Sequence, residues 1–359
     1  MRTVLLLTIL LPLHAPSEPV TATTRMTDVA RVALAQVAAD KQPVSGGLEL
    51  AWSVPGRWGG IVADERAGSA FVSTSAAMFE IDSAGRTVRE IPSRPGARLR
   101  SARFVSGRAL LSFGVWSPQL NVYDEKGALL WAYPPAAPSS GIDDVAAVDL
   151  DGDGNDEVII GFNGGTGVHV LNSKGTAVWT STAIGNVWHV AGGDLRGNGK
   201  AQVVTTSGLG QIHIFADDGA SRRDIAPGFY ADVVRVGKMS ERDATATMVA
   251  VGRASAGGNT LSLAAFAPDG TKKWGANLVS SSDAFVNAAT LSTTRPWVAV
   301  SLKSGQVFVL DATNGSVVAS ADGQGSAELA WLQEKNGGAP LLIVSSPTGV
   351  RAFRVRSGR

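Results

Sequence analysis

The sequence predicts an all-β fold, a seven-bladed β-propeller closed by an N-terminal strand, with six or eight blades as the alternatives. Three observations predict it: a hairpin phrase that recurs with a period in the mid-forties, matching half-hairpins at the two ends of the β-rich region, and a glycine count of 42 without any long helical pattern after residue 46. A period of 40–50 residues is the mark of a repeat whose unit cannot bury its own face.

The first element is an export signal, read over residues 1–22. Arg2 gives a positive start, Val4–Leu13 is an apolar run, and small residues follow up to Ala22. Such a run reaches about 15 Å as a helix, half of a bilayer core of roughly 30 Å. The expectation is cleavage and a secreted or periplasmic protein with no transmembrane domain. Residues 23–46 read as a short helix and linker: Val29, Val32, Ala33 and Val37 fall at helical spacing, and Gly46-Gly47 ends the pattern. Residues 47–359 read as the propeller.

Six hairpin phrases follow: FEIDSAGRTV (79–88), NVYDEKGALLW (121–131), HVLNSKGTAVW (169–179), HIFADDGASR (213–222), LAAFAPDGTKKW (263–274) and FVLDATNGSVV (308–318). Their turn glycines are Gly85, Gly127, Gly175, Gly219, Gly270 and Gly315, spaced 42, 48, 44, 51 and 45 apart. A seventh unit is split between the ends. Ala352–Arg356 reads as its strand before the turn, and 48–54 (LELAWSV) as the strand after it. Pairing them would close the ring and remove the open sheet edges that invite aggregation.

Charge and composition exclude several functions. The chain carries 32 Lys+Arg against 31 Asp+Glu, so it lacks the basic surface of a general nucleic-acid binder. Without Cys it has no disulfide, thiolate metal site or Cys nucleophile. The short basic clusters at 94–103 and 351–359 read as solvated faces.

One metal loop stands out. Asp149, Asp151 and Asp153 alternate in DLDGDGNDE (149–157), and so many carboxylates in one tight turn repel each other without a cation. Oxygen donors in a flexible loop suit a structural Ca2+. The expected ligands are the side chains of Asp149, Asp151, Asp153 and Glu157 with the Asn155 carbonyl. An EF-hand is excluded, since its twelfth position falls on Ile160 and a strand follows. One blade further on, Gly193–Gln202 keeps the glycine frame but carries Arg196 and Gln202 at ligand positions. There a guanidinium bridging Asp194 is expected in place of the ion.

The segment VAAVDLDGDGNDEVIIG (145–161) resembles the FG-GAP / VCBS-type repeats of integrin-like β-propellers. That resemblance implies a calcium loop between the first two strands of a blade, on the face opposite the ligand surface. The phrases DEKGALLW, NSKGTAVW and PDGTKKW are more loosely similar to the docking strands of quinoprotein-like propellers. They imply that Trp131, Trp179 and Trp274 pack between neighbouring blades. The vicinal cysteines of the quinone-dependent members are missing, so only the architecture is taken over.

Loops at the start of the inner strands give a possible ligand face: Asp143, Asp144, Trp188, His189, Tyr230, Asp232, Asp283 and Asn287. Aromatic, acid and His together suit a sugar, peptide or cation. His169 and His213 occupy equivalent positions in consecutive repeats and read as partly exposed sheet histidines. No G-x-S-x-G, H-E-x-x-H or Walker motif is present. The expected function is a monomeric, non-catalytic binding or scaffold propeller with a protein or extracellular polymer as partner. The alternative is an exported polysaccharide hydrolase or lyase with its acids at the channel mouth.

Overall fold

Alternation of β-branched and apolar residues with glycine turns builds strands throughout the computed structural model, and the residues it describes contain no helix. It describes residues 47–356, apart from 57, 93–95, 135–139, 256–257, 281–282, 326 and 336. The expected signal peptide (1–22) and helix or linker (23–46) lie outside the described residues.

The chain opens with β1 (Gly47–Pro55). The first four-stranded sheet holds β2 (Ile61–Asp64), β3 (Ser69–Ser73), β4 (Ala77–Asp82) and β5 (Thr87–Pro92). The second holds β6 (Arg98–Phe104), β7 (Gly107–Phe113), β8 (Leu120–Asp124) and β9 (Leu129–Tyr133). The third holds β10 (Ile142–Val148), β11 (Glu157–Phe162), β12 (Val168–Leu171) and β13 (Ala177–Ser181). The fourth holds β14 (Val187–Gly193), β15 (Gln202–Ser207), β16 (Ile212–Phe215) and β17 (Arg222–Ile225). The fifth holds β18 (Tyr230–Gly237), β19 (Thr247–Arg253), β20 (Thr260–Phe266) and β21 (Lys272–Val279). Next come β22 (Val286–Leu291), β23 (Trp297–Leu302), β24 (Val307–Asp311) and β25 (Val317–Ala321). The last are β26 (Glu328–Leu332), β27 (Leu341–Ser346) and β28 (Gly349–Arg356).

Within each sheet the strands run as an antiparallel meander, joined by short turns. The final sheet has the order β22-β23-β24-β25-β1-β28-β27-β26. Its two halves meet at β1, which pairs antiparallel with β28 from Gly47–Arg356 to Pro55–Gly349. A single parallel bridge, Gly47 to Ser320, links β1 to β25. The first strands stand side by side in a closed circuit: β2, β6, β10, β14, β18, β22, β26 and back to β2. This is a β-propeller.

Apolar side chains fill the gaps between neighbouring sheets. Leu111 and Phe113 of β7 pack with Val158 and Ile160 of β11, and Val249 and Val251 of β19 with Val298 and Val300 of β23. All eight are buried, each contributing roughly 1.5–3 kcal/mol relative to exposure.

A second joint recurs at the rim. The ring of Trp131 packs on Gly175 of the next sheet, and its Nε1 donates to the Ser173 carbonyl at 3.0 Å. Trp52 does the same to Gly85, donating to Ser83 at 2.9 Å. Trp274 sits on Gly315 and donates to Ala312 at 2.9 Å; Trp179 sits on Gly219. Ile91 and Ile225 take the indole's place against Gly127 and Gly270. These six glycines have φ between +69° and +90°, so backbone sterics require them, and four of them also make room for an indole.

Candidate functional site

Four consecutive inner strands carry the same irregularity near their N-terminal ends. Pairing skips a residue at Asp143 in β10, Trp188 in β14, Asp232 in β18 and Asn287 in β22. The register of β2, β6 and β26 runs unbroken. A bulge leaves its extra residue unpaired and re-aims its side chain. All four bulge residues line one cavity of about 320 Å3 at the channel mouth, together with Trp116 and His189.

Backbone strain concentrates on the same cavity. Among the described residues, the non-glycine residues with left-handed φ are Trp116 (62°) and Asn186 (52°), and both line it. Each costs about 1–3 kcal/mol and persists only where surrounding contacts impose it. Trp116 is held by its N–H on the Ile142 carbonyl at 2.7 Å, and its side chain is 70% exposed. Asn186 is pinned between Gly164 and Gly208 by backbone hydrogen bonds, and its buried Oδ1 has no partner.

Below the mouth lies a buried charge network. Asp144, 1% exposed, accepts from Arg100 at 2.9 Å and from His189 Nδ1 at 2.8 Å, with Arg235 at 3.9 Å. Glu328 stands 3.5 Å from both Arg98 and Arg100. Burial pushes the Asp144 carboxyl up, but Arg100, His189 and Arg235 hold it far below the usual range. Burial lowers the His189 pKa against the pull of Asp144. This favours the neutral imidazole, in which an Nδ1–H directed at Asp144 leaves Nε2 as an acceptor. Asp143 differs: burial, opposed by hydrogen bonds from Asn163 and Trp116, pushes it up to about 6.

Asp232, also raised by burial, is gripped by both Nε and Nη2 of Arg253, at 3.1 and 2.9 Å. The guanidinium of Arg253 lies over Phe285 (4.4 Å) and Tyr230 (5.1 Å), and Lys303 Nζ is 3.8 Å from the Phe285 ring. Tyr230 in turn meets Trp188 at 5.4 Å.

Of the residues expected at a ligand face, Asp143, Trp188, His189, Asp232 and Asn287 line the cavity. Asp144 supports His189 from beneath, and Tyr230 backs Trp188. Asp283 is exposed and is not among the lining residues. Sequence reasoning missed Arg98, Trp116, Asn163, Asn186, Phe285 and Lys303; the Gly185-Asn186 turn pair was the one available signal. Arg98 and Arg100 also correct the reading of 94–103 as a solvated face. Both are mostly buried, on an inner strand whose alternate side chains meet Asp144 and Glu328.

Asp144 and Asp232 are both spent in ion pairs. Elsewhere, Ser207 Oγ, His213 and Asp224 are linked at 3.0 and 2.8 Å in the order of a hydrolytic triad. However, Ser207 is 2% exposed. The N–H groups that could hold an oxyanion are used: Gly208 donates to Asn186 and Gly210 to the Ser207 carbonyl. His213 is thereby buried, not the partly exposed sheet histidine expected, because serine and aspartate satisfy both ring nitrogens.

At the opposite end of β10, the acidic loop brings carboxylate oxygens of Asp149, Asp151 and Asp153 within 4.8 Å of one another. Two oxygens on one Ca2+ at about 2.4 Å are at most about 4.8 Å apart, so the trio fits such an ion. Glu157 is not one of the trio; its Oε2 accepts from the Leu150 N–H at 2.9 Å. Burial and the three aspartates push it up to about 7. The Asn155 side chain bridges Asp153 and the Val105 N–H of the neighbouring sheet.

The sister loop departs from expectation. Arg196 reaches Asp217 at 2.7 Å instead of bridging Asp194. Asp194 accepts four backbone N–H groups, from Arg196, Gly197, Asn198 and Gly199. Two of these repeat the Asp149 pattern, in which Gly152 and Gly154 donate.

No family model matches the sequence, and no curated protein does. Solved structures do match in fold. The crystal structure of BBS1N in complex with ARL6DN has a TM-score of 0.61 at 12% identity, over 86% of this chain and 97% of that one. The WD40 beta propeller domain of Doa1 has a TM-score of 0.61 at 16% identity, over the same shares. The likeness is one of fold, and it agrees with the propeller described above.

Proposed function

We propose that this protein is an exported, seven-bladed β-propeller that binds a partner at its channel mouth and catalyses no reaction. The blade count rests on the circuit of seven inner strands and on β1 completing the sheet of β26–β28. Residues 47–359 form the propeller, and residues 1–22 direct it to a secreted or periplasmic location as a monomer. The observation that carries the binding role is the convergence of four bulges and two strained residues on one cavity, with Asp144 and Asp232 locked in ion pairs. The partner is a protein or an extracellular polymer. BBS1N, a structural neighbour, was crystallised with the protein ARL6DN, so this fold accommodates protein partners.

The acidic loop is assigned to one structural Ca2+, held by Asp149, Asp151 and Asp153, with Glu157 and the Asn155 carbonyl completing the set. When bound, the ion would neutralise the loop's charge and stiffen it against the neighbouring blade. The carboxylate spacing and the FG-GAP / VCBS-like motif support this reading.

The test is retention of material from extracellular fractions on the immobilised, calcium-loaded protein. The wild type should retain a component that Trp188→Asp does not, with folding of the variant checked by its melting transition. Equal retention by both would move the binding surface elsewhere. Turnover abolished by Asp143→Asn in hydrolase screens would overturn the non-catalytic reading.

A further inference from the structure

We propose that the channel-mouth cavity binds an acidic sugar ring, such as a uronic acid residue of an extracellular polysaccharide. This rests on the mouth being the ligand surface. Its aromatic walls come first. Trp116, Trp188 and Phe285 all line the cavity, and Trp116 is held out into solvent in a left-handed conformation that a bulky residue adopts only under constraint. An indole face fixed in this way offers a flat apolar surface, which suits the C–H face of a pyranose ring.

The polar groups in the floor are mostly acceptors. The Asn186 Oδ1 is buried and has no partner among the described residues, a cost that a donor entering beside it would relieve. His189 Nε2 is an acceptor because Nδ1–H is committed to Asp144. The Asp143 carboxylate is a third, held in place by Asn163 Nδ2 at 3.1 Å. Vicinal hydroxyls are the donor set that matches closely placed acceptors between aromatic walls.

The charge on the rim selects among sugars. Lys303 stands exposed against Phe285, its acidic neighbour Asp232 already gripped at two points by Arg253, and Arg98 faces Asp143 as well as Glu328 at 3.5 Å. Asp232 is neutralised by Arg253. The cations left over suit a carboxylate on the ligand. The volume of about 320 Å3 lies at the small end of the ~300–1,000 Å3 range of ligand cavities, room for one ring, not for a folded peptide segment.

The experiment titrates the calcium-loaded protein with trigalacturonate and with neutral maltotriose, reading tryptophan fluorescence and calorimetric heat. Trigalacturonate should bind and quench, and maltotriose should bind more weakly by about threefold to fivefold, as expected for loss of a partly screened charge contact. Lys303→Gln should weaken trigalacturonate by a similar factor while leaving maltotriose unchanged, a charge-specific effect. Trp116→Ala should weaken both. Equal affinity for the two sugars, or no effect of Lys303→Gln, would overturn the acidic-sugar assignment. If neither sugar binds while the retained component of the preceding experiment still depends on Trp188, the sugar inference fails and the mouth remains the binding surface. If that dependence is also missing, both fail.

Discussion

A Cβ built on Gly175 would lie 2.7 Å from Cδ2 of Trp131, so the indole occupies the space that any other residue's side chain would need. The pair joins two sheets, and the same arrangement returns for Trp52 with Gly85 and Trp274 with Gly315.

Gly175→Ala should therefore destabilise strongly. It forces a non-glycine residue to φ of 77° and displaces the indole, a combined cost of about 2–4 kcal/mol. Urea denaturation would measure it. Gly154→Ala, also at positive φ but with open space around its Cβ, should cost only the backbone share of about 1–2 kcal/mol.

Calcium should raise the melting temperature of the wild type, because an ion bound only by the folded state stabilises it by mass action. Asp151→Ala should abolish that rise. Arg196→Asp would return a carboxylate to the sister loop but leaves Gln202 at its last position, so it should not create a second calcium-dependent rise. Thermal melts with calcium or chelator check both.

Stability should depend on pH through Asp143. Its folded pKa of about 6 lies above the ~3.9 of an unfolded aspartate. The native state thus holds a proton that the unfolded state has released, and stability falls as pH climbs from about 4 through 6. Asp143→Asn should remove this fall, so that its melting temperature gains on the wild type between pH 4.5 and 7. A constant difference across that range would mean that Asp143 titrates normally.

Ser207 should not react with a fluorophosphonate probe, despite its hydrogen bond to His213. Labelling that Asp224→Asn abolishes would show that the buried linkage is a working triad.

Deleting residues 47–54 should lower the melting point and broaden the transition. It strips β28 of one of its two partners, leaving it paired with β27 alone, and opens a strand edge. A variant that melts like the parent would show that the closure contributes nothing.

Much of the fold was legible in the sequence because its devices are local. The turn glycines must be glycine, so Gly85 to Gly315 announce the repeat, and Trp131, Trp179 and Trp274 stand four residues beyond theirs. Trp52 escaped notice because its own hairpin is split between β28 and β1, so no turn glycine stands four residues before it. The site was legible only in part. Asp143, Trp188, Asp232 and Asn287 were legible from their place at the start of the inner strands, although the register skips that aim them leave no mark on the hydrophobic pattern. Arg98 and Arg100 looked like a solvated basic run because their acidic partners, Asp144 and Glu328, lie in distant repeats. Asp194 looked like half of an ion pair because backbone N–H groups, its actual partners, do not appear in a string of side chains.

The pairing of Gly47 with Arg356 also imposes an order of events during biogenesis. The opening strand leaves the ribosome roughly 300 residues before its partner, which at ~5–20 residues per second is about 15–60 s. Until β28 emerges, the nascent chain carries an unclaimed strand and no finished ring. A chaperone that shields that strand would meet the need.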